Sequence, residues 1–140
     1  MADIAVFVDS RGGNTRKVAD AIAEELGVRV GDLKDTLPAD AKVLFLGSGT
    51  YGSAPGKEMT KFVTDNVFTG RKVALFGTSL APVGAQKMIA VMEGALTGKG
   101  ATVLGSYRCK GKFLLFNRGR PNTEDLENAK KFAREMIRAD

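Results

Sequence analysis

Three short, strongly apolar runs recur along the chain, and segments with helical periodicity separate them. The runs are rich in Val, Phe and Leu, are bounded by glycine or small polar residues, and cover residues 4–8, 43–47 and 73–77. Such runs are typical of strands that are covered on both faces. Because parallel strands joined through helices connect with right-handed crossovers, the alternation predicts a three-layer, doubly wound α/β domain with a parallel sheet.

Two weaker runs and four helical segments complete the pattern. Residues 28–33 and 102–109 are more polar, as edge strands are, and they raise the expected number of strands to five. Helices are expected where apolar residues recur at helical spacing: around Val18, around Met59, around Met88 and over residues 123–137. A short turn is expected at residues 37–41, and Gly27 and Gly98 are expected to take the left-handed conformation at helix ends.

The composition excludes several classes of protein. With 140 residues, of which 44% are hydrophobic, we expect a single domain over residues 1–140. The single cysteine, Cys109, cannot form an internal disulfide, and the absence of histidine excludes the usual zinc sites and the common catalytic triads. The chain has no apolar stretch of the roughly 20 residues that a spanning helix needs and no basic leader, so we expect no membrane association and a cytoplasmic location.

The positive charge is concentrated in one part of the chain. The net charge is +5, and residues 94–123 contain no acidic residue. This basic strip carries six cations: Lys99, Arg108, Lys110, Lys112, Arg118 and Arg120. It is interpreted as a docking face for an acidic protein, as a phosphate or nucleic-acid contact, or as a solvated loop. Nucleic-acid binding is the weakest of these because no base-reading motif is present. Within the strip, the apolar residues 113–116 allow three interpretations: an extra strand, a flap, or a plug over the sheet edge.

The loop between the first strand and the first helix has the composition of a phosphate site. Its glycines let the backbone approach a ligand, and Ser10, Asn14 and Thr15 offer polar side chains beside the helix N-terminus. The alternative is an ordinary tight turn in which Asn14 or Ser10 caps the helix. Neither the nucleoside-triphosphate P-loop motif nor the dinucleotide fingerprint is present, and Cys109 lies far from the loop, which excludes a cysteine-dependent phosphatase.

Taken with two later loops, this segment resembles the flavodoxins. Ser10 and the sequence Gly13-Asn14-Thr15 match the flavodoxin phosphate loop Ser/Thr-x-Thr-Gly-Asn-Thr. Residues 46–52 and 73–78 are similar to the strands and loops that border the flavin, so the resemblance to short-chain flavodoxin-like proteins covers essentially the whole chain. It implies the strand order 2-1-3-4-5, an FMN cofactor, and electron transfer between redox partner proteins without catalytic residues of the chain's own. The sequence leaves the oligomeric state open, with a monomer favoured.

The resemblance also implies roles for individual residues. The ribityl phosphate is expected to bind Ser10, Gly13, Asn14 and Thr15, together with the backbones of Arg11 and Gly12, while the flavin ring is expected between Thr50, Tyr51 and Gly52 on one side and Thr78, Ser79 and Leu80 on the other. Tyr51, the single aromatic residue of the two ring loops, is the stacking candidate. Flavodoxins usually carry carboxylates around the flavin, but residues 48–56 and 77–86 contain none, which predicts a less negative hydroquinone potential. The basic strip predicts redox partners with an acidic docking face.

Two other functions fit a domain of this kind. One is a small FMN-dependent NAD(P)H:quinone-type reductase, in which Arg118 and Arg120 bind a nucleotide phosphate. The other is a non-enzymatic binding or signalling module, since receiver domains share the fold and Asp9 follows the first strand. A receiver would also need an aspartate after the third strand, where Gly47 and Ser48 stand, so we interpret Asp9 as a polar residue at a strand end.

Overall fold

The structure, a computed structural model, describes residues 3–112 and 117–139 and contains one parallel sheet with helices on both faces. The elements in chain order are β1 (Ile4–Asp9), α1 (Asn14–Leu26), β2 (Val30–Gly31), β3 (Val43–Gly49), α2 (Lys57–Asp65), β4 (Lys72–Ser79), α3 (Pro82–Gly98), β5 (Thr102–Lys110) and α4 (Thr123–Ala139). The five strands lie in the order β2-β1-β3-β4-β5, and every neighbouring pair is parallel. The three-layer fold and strand order expected from the sequence are therefore confirmed.

Alternating side chains of the strands enter two separate apolar layers. Phe7 packs with the side chains of α2 and α3, whereas its neighbour Val6 packs with those of α1 and α4. On β3, the central strand, Leu44 and Phe45 divide between the two layers in the same way, and all seven residues are buried. This double coverage explains why the strands appear in the sequence as continuous apolar runs.

The edge strand β2 is much shorter than the sequence suggests. Residues 28–33 were expected to form a strand, but only Val30 and Gly31 pair with β1. Gly31 lies directly against Phe7, since a Cβ placed on it would come within 2.5 Å of the Phe7 ring. As an edge strand, β2 can pair only with β1, so it is no longer than that pairing. The expected turn at 37–41 contributes two buried side chains, Leu37 and Ala41, to the core.

The left-handed glycine predicted at the end of a helix is found at one of two positions. Gly27 ends α1 with φ of 70°, as expected. The expectation for Gly98 is wrong, because α3 continues through that residue and the left-handed conformation falls at Gly100, whose φ is 87°. The N–H of Gly100 donates to the carbonyl of Thr97, which closes the last turn there. No helix in the described ranges is long and apolar enough to cross a membrane.

A polar cluster anchors the β5–α4 connection, by which we mean residues 111–122. Arg120 donates to both carboxylate oxygens of Asp125 at 2.5 and 2.8 Å, and the Asp125 carboxylate also accepts the N–H of Asn122. Burial alone would raise the pKa of Asp125, but these hydrogen bonds outweigh it and lower that pKa. The Asn122 side chain in turn accepts the Asp125 N–H, which completes a reciprocal cap on α4. Residues 113–116, for which three roles were considered, lie outside the described residues.

Candidate functional site

The carboxyl ends of β1 and β3 frame a cleft. The chain leaves β1 for α1 on one face of the sheet and leaves β3 for α2 on the other, so the two loops diverge, as they do at the ligand sites of open α/β sheets. The resulting carboxyl-edge cleft has a volume of about 540 Å3. It is lined by Ser10, Arg11, Gly12, Asn14, Thr15, Gly49, Thr50, Tyr51, Thr78, Ser79, Leu80, Gly111 and Lys112. The structure thus brings together the predicted site residues other than Gly13 and Gly52, which belong to the adjoining turns.

The phosphate loop, residues 10–15, ends in an open helix N-terminus. Gly13 is the N-cap of α1 and has φ of 86°, a conformation that favours glycine. No side chain caps the helix, so the first-turn N–H groups keep their capacity to bind a ligand. Ser10 accepts the N–H of Gly13 at 3.1 Å, and Asn14 is the first residue of the helix rather than its cap. This geometry differs from the ordinary capped turn that the sequence also allowed.

Hydroxyl groups connect the three loops at the floor of the cleft. Thr15 and Thr78, both buried, share a hydrogen bond of 2.8 Å between their hydroxyl oxygens. The Thr50 hydroxyl donates to the carbonyl of Thr78 at 2.9 Å. The loops that follow β1, β3 and β4 are therefore held together by side chains that the sequence had placed in separate motifs.

The loop after β3 is a tight hairpin. Tyr51 and Ala54 form an antiparallel bridge, and the two residues between them, Gly52 and Ser53, have φ values of 62° and 64°. Two consecutive left-handed residues are characteristic of a type I′ turn. The turn thus favours glycine at position 52, and the hairpin holds Tyr51 at the edge of the cleft.

Ser48 and Asp9 fix the far end of this hairpin. The Ser48 hydroxyl accepts the N–H of Gly56 at 2.9 Å and donates to the carbonyl of Gly49. The Asp9 carboxylate accepts the N–H of Met59 at 3.0 Å and so caps the first turn of α2 from outside the helix. Asp9 is buried and engaged with this helix, which supports its interpretation as a polar strand-end residue rather than as the phosphoacceptor of a receiver domain.

Tyr51 is in contact with the phosphate loop. Its hydroxyl accepts the N–H of Arg11 at 3.0 Å, and the Arg11 guanidinium carbon lies 4.0 Å from the centre of the tyrosine ring. Gly49 permits this approach, because a Cβ there would lie 2.5 Å from the Tyr51 hydroxyl. The backbone donor expected to serve the phosphate is thus bonded to Tyr51 here, and one face of the ring carries a cation.

The loop after β4 uses its serine internally. The Ser79 hydroxyl accepts the N–H of Ala85 and donates to the carbonyl of Ala81, so it holds the start of α3. Ser79 lines the cleft beside Leu80, which is 45% exposed. Leu80 therefore offers apolar surface at the rim, whereas the Ser79 hydroxyl is already engaged by α3.

Three residues that were not predicted from the sequence also line the cleft: Gly49, Gly111 and Lys112. The side-chain amide of Asn14 donates to the carbonyl of Lys112 at 2.8 Å, across 98 positions of sequence. Asn117 donates to the carbonyls of Leu80 and Gly111, which joins the β5–α4 connection to the loop after β4. Position in the chain could have identified Gly111 and Lys112, because residues that directly follow the last parallel strand emerge at the same edge of the sheet as the other loops.

Charge in the carboxyl-edge cleft is of one sign. Its charged lining residues are Arg11 and Lys112, and no carboxylate lines it in the part of the chain that the structure describes. Arg120, considered as a nucleotide-phosphate ligand, is engaged by Asp125. Burial raises the pKa of Cys109 to about 12, so its thiol stays protonated at neutral pH. Within residues 3–112 and 117–139 no group of side chains is suited to bind a metal ion.

A second cleft of similar size lies on the side of the domain. This lateral cleft, about 590 Å3, is lined by Leu33, Lys34, Asp35, Thr36, Glu58, Lys61, Phe62, Asp65 and Asn66. Its lining includes both acidic and basic side chains, and Lys61 pairs with Asp65 at 2.5 Å. It lies between the segment after β2 and helix α2, away from the open N-terminus of α1.

Comparisons with known proteins agree with this architecture. The Flavodoxin domain family model matches residues 5–115. A flavodoxin of Trichodesmium erythraeum is 32% identical over 127 residues, which cover 79% of this chain and 74% of the relative. Flavodoxin 2 from Bacillus cereus superimposes with a TM-score of 0.76 at 22% identity over 99% of both chains. The Fusobacterium nucleatum flavodoxin bound to flavin mononucleotide does so with a TM-score of 0.74 at 17% identity over 96% of both. The chain belongs to the flavodoxin family.

Proposed function

We propose that the protein binds FMN in the carboxyl-edge cleft and carries electrons between redox proteins. The observation that carries this proposal is the open, uncapped N-terminus of α1 at the switch point of the sheet, next to hydroxyl, amide and cationic side chains. Membership of the flavodoxin family and the likeness to a flavodoxin bound to FMN support the choice of ligand.

The donors of the phosphate loop fit a phosphate dianion. The Ser10 hydroxyl oxygen accepts the Gly13 N–H, which leaves its own proton available for donation. The Asn14 amide gives one N–H to Lys112 and keeps a second. The positive end of the α1 dipole and the cations Arg11 and Lys112 add charge of the right sign. We propose that Ser10, Asn14, Thr15 and the backbone of residues 11–13 hold the phosphate.

The ring end of the site lies between the loops after β3 and β4. Tyr51 offers an aromatic ring and Leu80 an exposed aliphatic side chain, while Thr50 and Thr78 form the hydrogen-bonded floor. We propose that these loops, with Gly52 and Ser79, orient the flavin ring. Bound FMN would supply the electron-transfer chemistry, and the chain would supply binding, orientation and the surrounding charge.

The rim of the cleft suits a redox partner with an acidic face. Leu80 exposes 45% of its surface there, and Arg11 and Lys112 lie in the same lining without a carboxylate among the described residues. Such a surface steers an acidic protein toward the cleft by long-range attraction. We expect the rate of electron exchange with an acidic redox protein to fall as salt rises to physiological strength.

A flavin titration tests the proposed function. Purified protein is mixed with FMN or with riboflavin, and binding is followed by flavin fluorescence and by the absorbance that remains with the protein after gel filtration. We expect FMN to bind at least about tenfold more tightly, since hydrogen bonds to a charged group each contribute about 1.5–3 kcal/mol. Failure to retain FMN would contradict the cofactor assignment, and equal affinity for riboflavin would contradict the phosphate assignment.

A further inference from the structure

The start of the β5–α4 connection is fastened to the phosphate loop. The N–H of Gly111 donates to the carbonyl of Ser79 at 3.0 Å, and that of Lys112 donates to the carbonyl of Arg120 at 3.0 Å. The carbonyl of Lys112 accepts the Asn14 side chain at 2.8 Å. Lys112 takes part in these bonds only through its main-chain N–H and carbonyl groups. They therefore position its backbone independently of its side chain.

Gly111 brings this backbone close to the phosphate loop. A Cβ on Gly111 would lie 2.9–3.1 Å from three atoms of the Asn14 side chain, and Gly111 is buried. Residue 112, whose carbonyl accepts the Asn14 amide, therefore begins directly beside the phosphate loop. Lys112 is in the lining of the cleft and is exposed to solvent.

The two cations of the cleft differ in their surroundings. The Arg11 guanidinium lies over the Tyr51 ring, 4.0 Å from its centre. The Lys112 ammonium has no ion pair with any carboxylate in the described ranges, and no carboxylate among those residues faces it in the cleft. Lys112 is thus a cation held beside an anion site without a countercharge.

We propose that Lys112 determines the selectivity of this site for phosphorylated flavins, by pairing its ammonium with the ligand phosphate. This proposal rests on the proposed function and adds to it a residue from the last loop of the domain. A neutral ligand such as riboflavin gains nothing from the ammonium, whereas a dianion gains an attraction that salt weakens.

The test compares three variants in the same titration. Lys112→Ala removes the cation, Lys112→Arg restores it, and Arg118→Ala removes one positive charge from the same connection at an exposed residue that does not line the cleft. Affinities for FMN and riboflavin are measured at low and at physiological salt, with inorganic phosphate as a competitor. Thermal melting of each variant checks that the fold is retained.

We expect Lys112→Ala to weaken FMN binding roughly five- to tenfold at low salt, an effect kept modest by the solvent exposure of the side chain. Riboflavin affinity should not change, inorganic phosphate should compete less well, and Lys112→Arg should restore most of the loss. Arg118→Ala should have a smaller effect.

Equal FMN affinity in wild type and Lys112→Ala would overturn the proposal, as would an equal loss for riboflavin or for Arg118→Ala. Wild-type protein that binds no FMN at all would instead overturn the proposed function, so the two failures are distinguishable.

Discussion

The domain contains two clefts of nearly equal volume that differ in almost every other respect. The carboxyl-edge cleft, about 540 Å3, is lined by loop glycines, hydroxyls and two cations, while the lateral cleft, about 590 Å3, is lined by charges of both signs. In the lateral cleft Lys61 and Asp65 neutralise each other, one helical turn apart. Volume therefore does not distinguish the proposed ligand site from the lateral cleft. The supply of unpaired donors and the sign of the local charge do.

The difference originates in the topology of the sheet. Parallel strands deliver their following loops to one edge, where the N-terminus of α1 begins with unpaired N–H groups. The lateral cleft lies against the side of α2 and the segment after β2, and not at the open N-terminus of a helix. The carboxyl-edge cleft therefore offers an anion unpaired backbone donors, whereas the lateral cleft offers it side-chain charges of both signs.

The largest expected effect separates the two clefts by substitution. Asn14→Ala or Thr15→Ala should each weaken FMN binding by about 1–3 kcal/mol, because each removes a donor to a charged group. Lys61→Ala, in the lateral cleft, should leave FMN affinity unchanged. Fluorescence titration of the three variants measures both halves of the comparison. A loss of affinity in Lys61→Ala equal to that in Asn14→Ala would mean that the ligand does not distinguish the clefts.

Substitutions of Tyr51 test the ring end of the carboxyl-edge cleft. Tyr51→Ala should weaken FMN binding by about 1–2 kcal/mol and raise the fluorescence of the bound flavin, because an aromatic neighbour is lost. Tyr51→Phe keeps the ring but removes the oxygen that accepts the Arg11 N–H. If the phosphate takes over that N–H, the Phe variant should bind FMN at least as tightly as wild type. An unchanged affinity in Tyr51→Ala, or an equal loss in Tyr51→Phe, would contradict this assignment.

Much of the fold follows from the sequence because double burial leaves a strong local pattern. The strands β1, β3 and β4 lie within two residues of the predicted apolar runs. The edge strand β2 departs from its prediction because pairing on one side imposes a weaker pattern. At the candidate site, the loops after β1, β3 and β4 were expected at one edge of the sheet because each directly follows a parallel strand. The contacts of Tyr51 with Arg11, and of Asn14 with Lys112, join residues 40 and 98 positions apart, and no local pattern encodes them.

A smaller effect is expected at the ion pair of Arg120 with Asp125, which anchors the β5–α4 connection. The folded pKa of Asp125 lies below its ordinary value of 3.8, so its charge stabilises the fold above about pH 3.8 and that contribution is lost as pH falls through the folded pKa. Asp125→Asn should cost about 1 kcal/mol at pH 7, since the amide still accepts a hydrogen bond.

Urea unfolding from pH 7 down to pH 2 measures the contribution of Asp125. The free energy of unfolding should fall less steeply with decreasing pH in Asp125→Asn than in wild type. A matched control is Asp65→Asn at the exposed pair beside the lateral cleft, which should leave the pH dependence close to that of wild type. Identical pH dependence in wild type and Asp125→Asn would show that the ion pair with Arg120 does not anchor the connection.

The proposed flavin site is tested most directly by a map of backbone amide chemical shifts as FMN is added to isotopically labelled protein. We expect the largest changes in residues 10–15, 50–52, 78–80 and 111–112, with the amides of residues 33–36 and 58–66 nearly unchanged. Riboflavin should shift the amides of residues 10–15 much less than FMN does. Changes centred on the lateral cleft, or equal changes in residues 10–15 with riboflavin and FMN, would contradict the assignment of the carboxyl-edge cleft as a phosphate-directed flavin site.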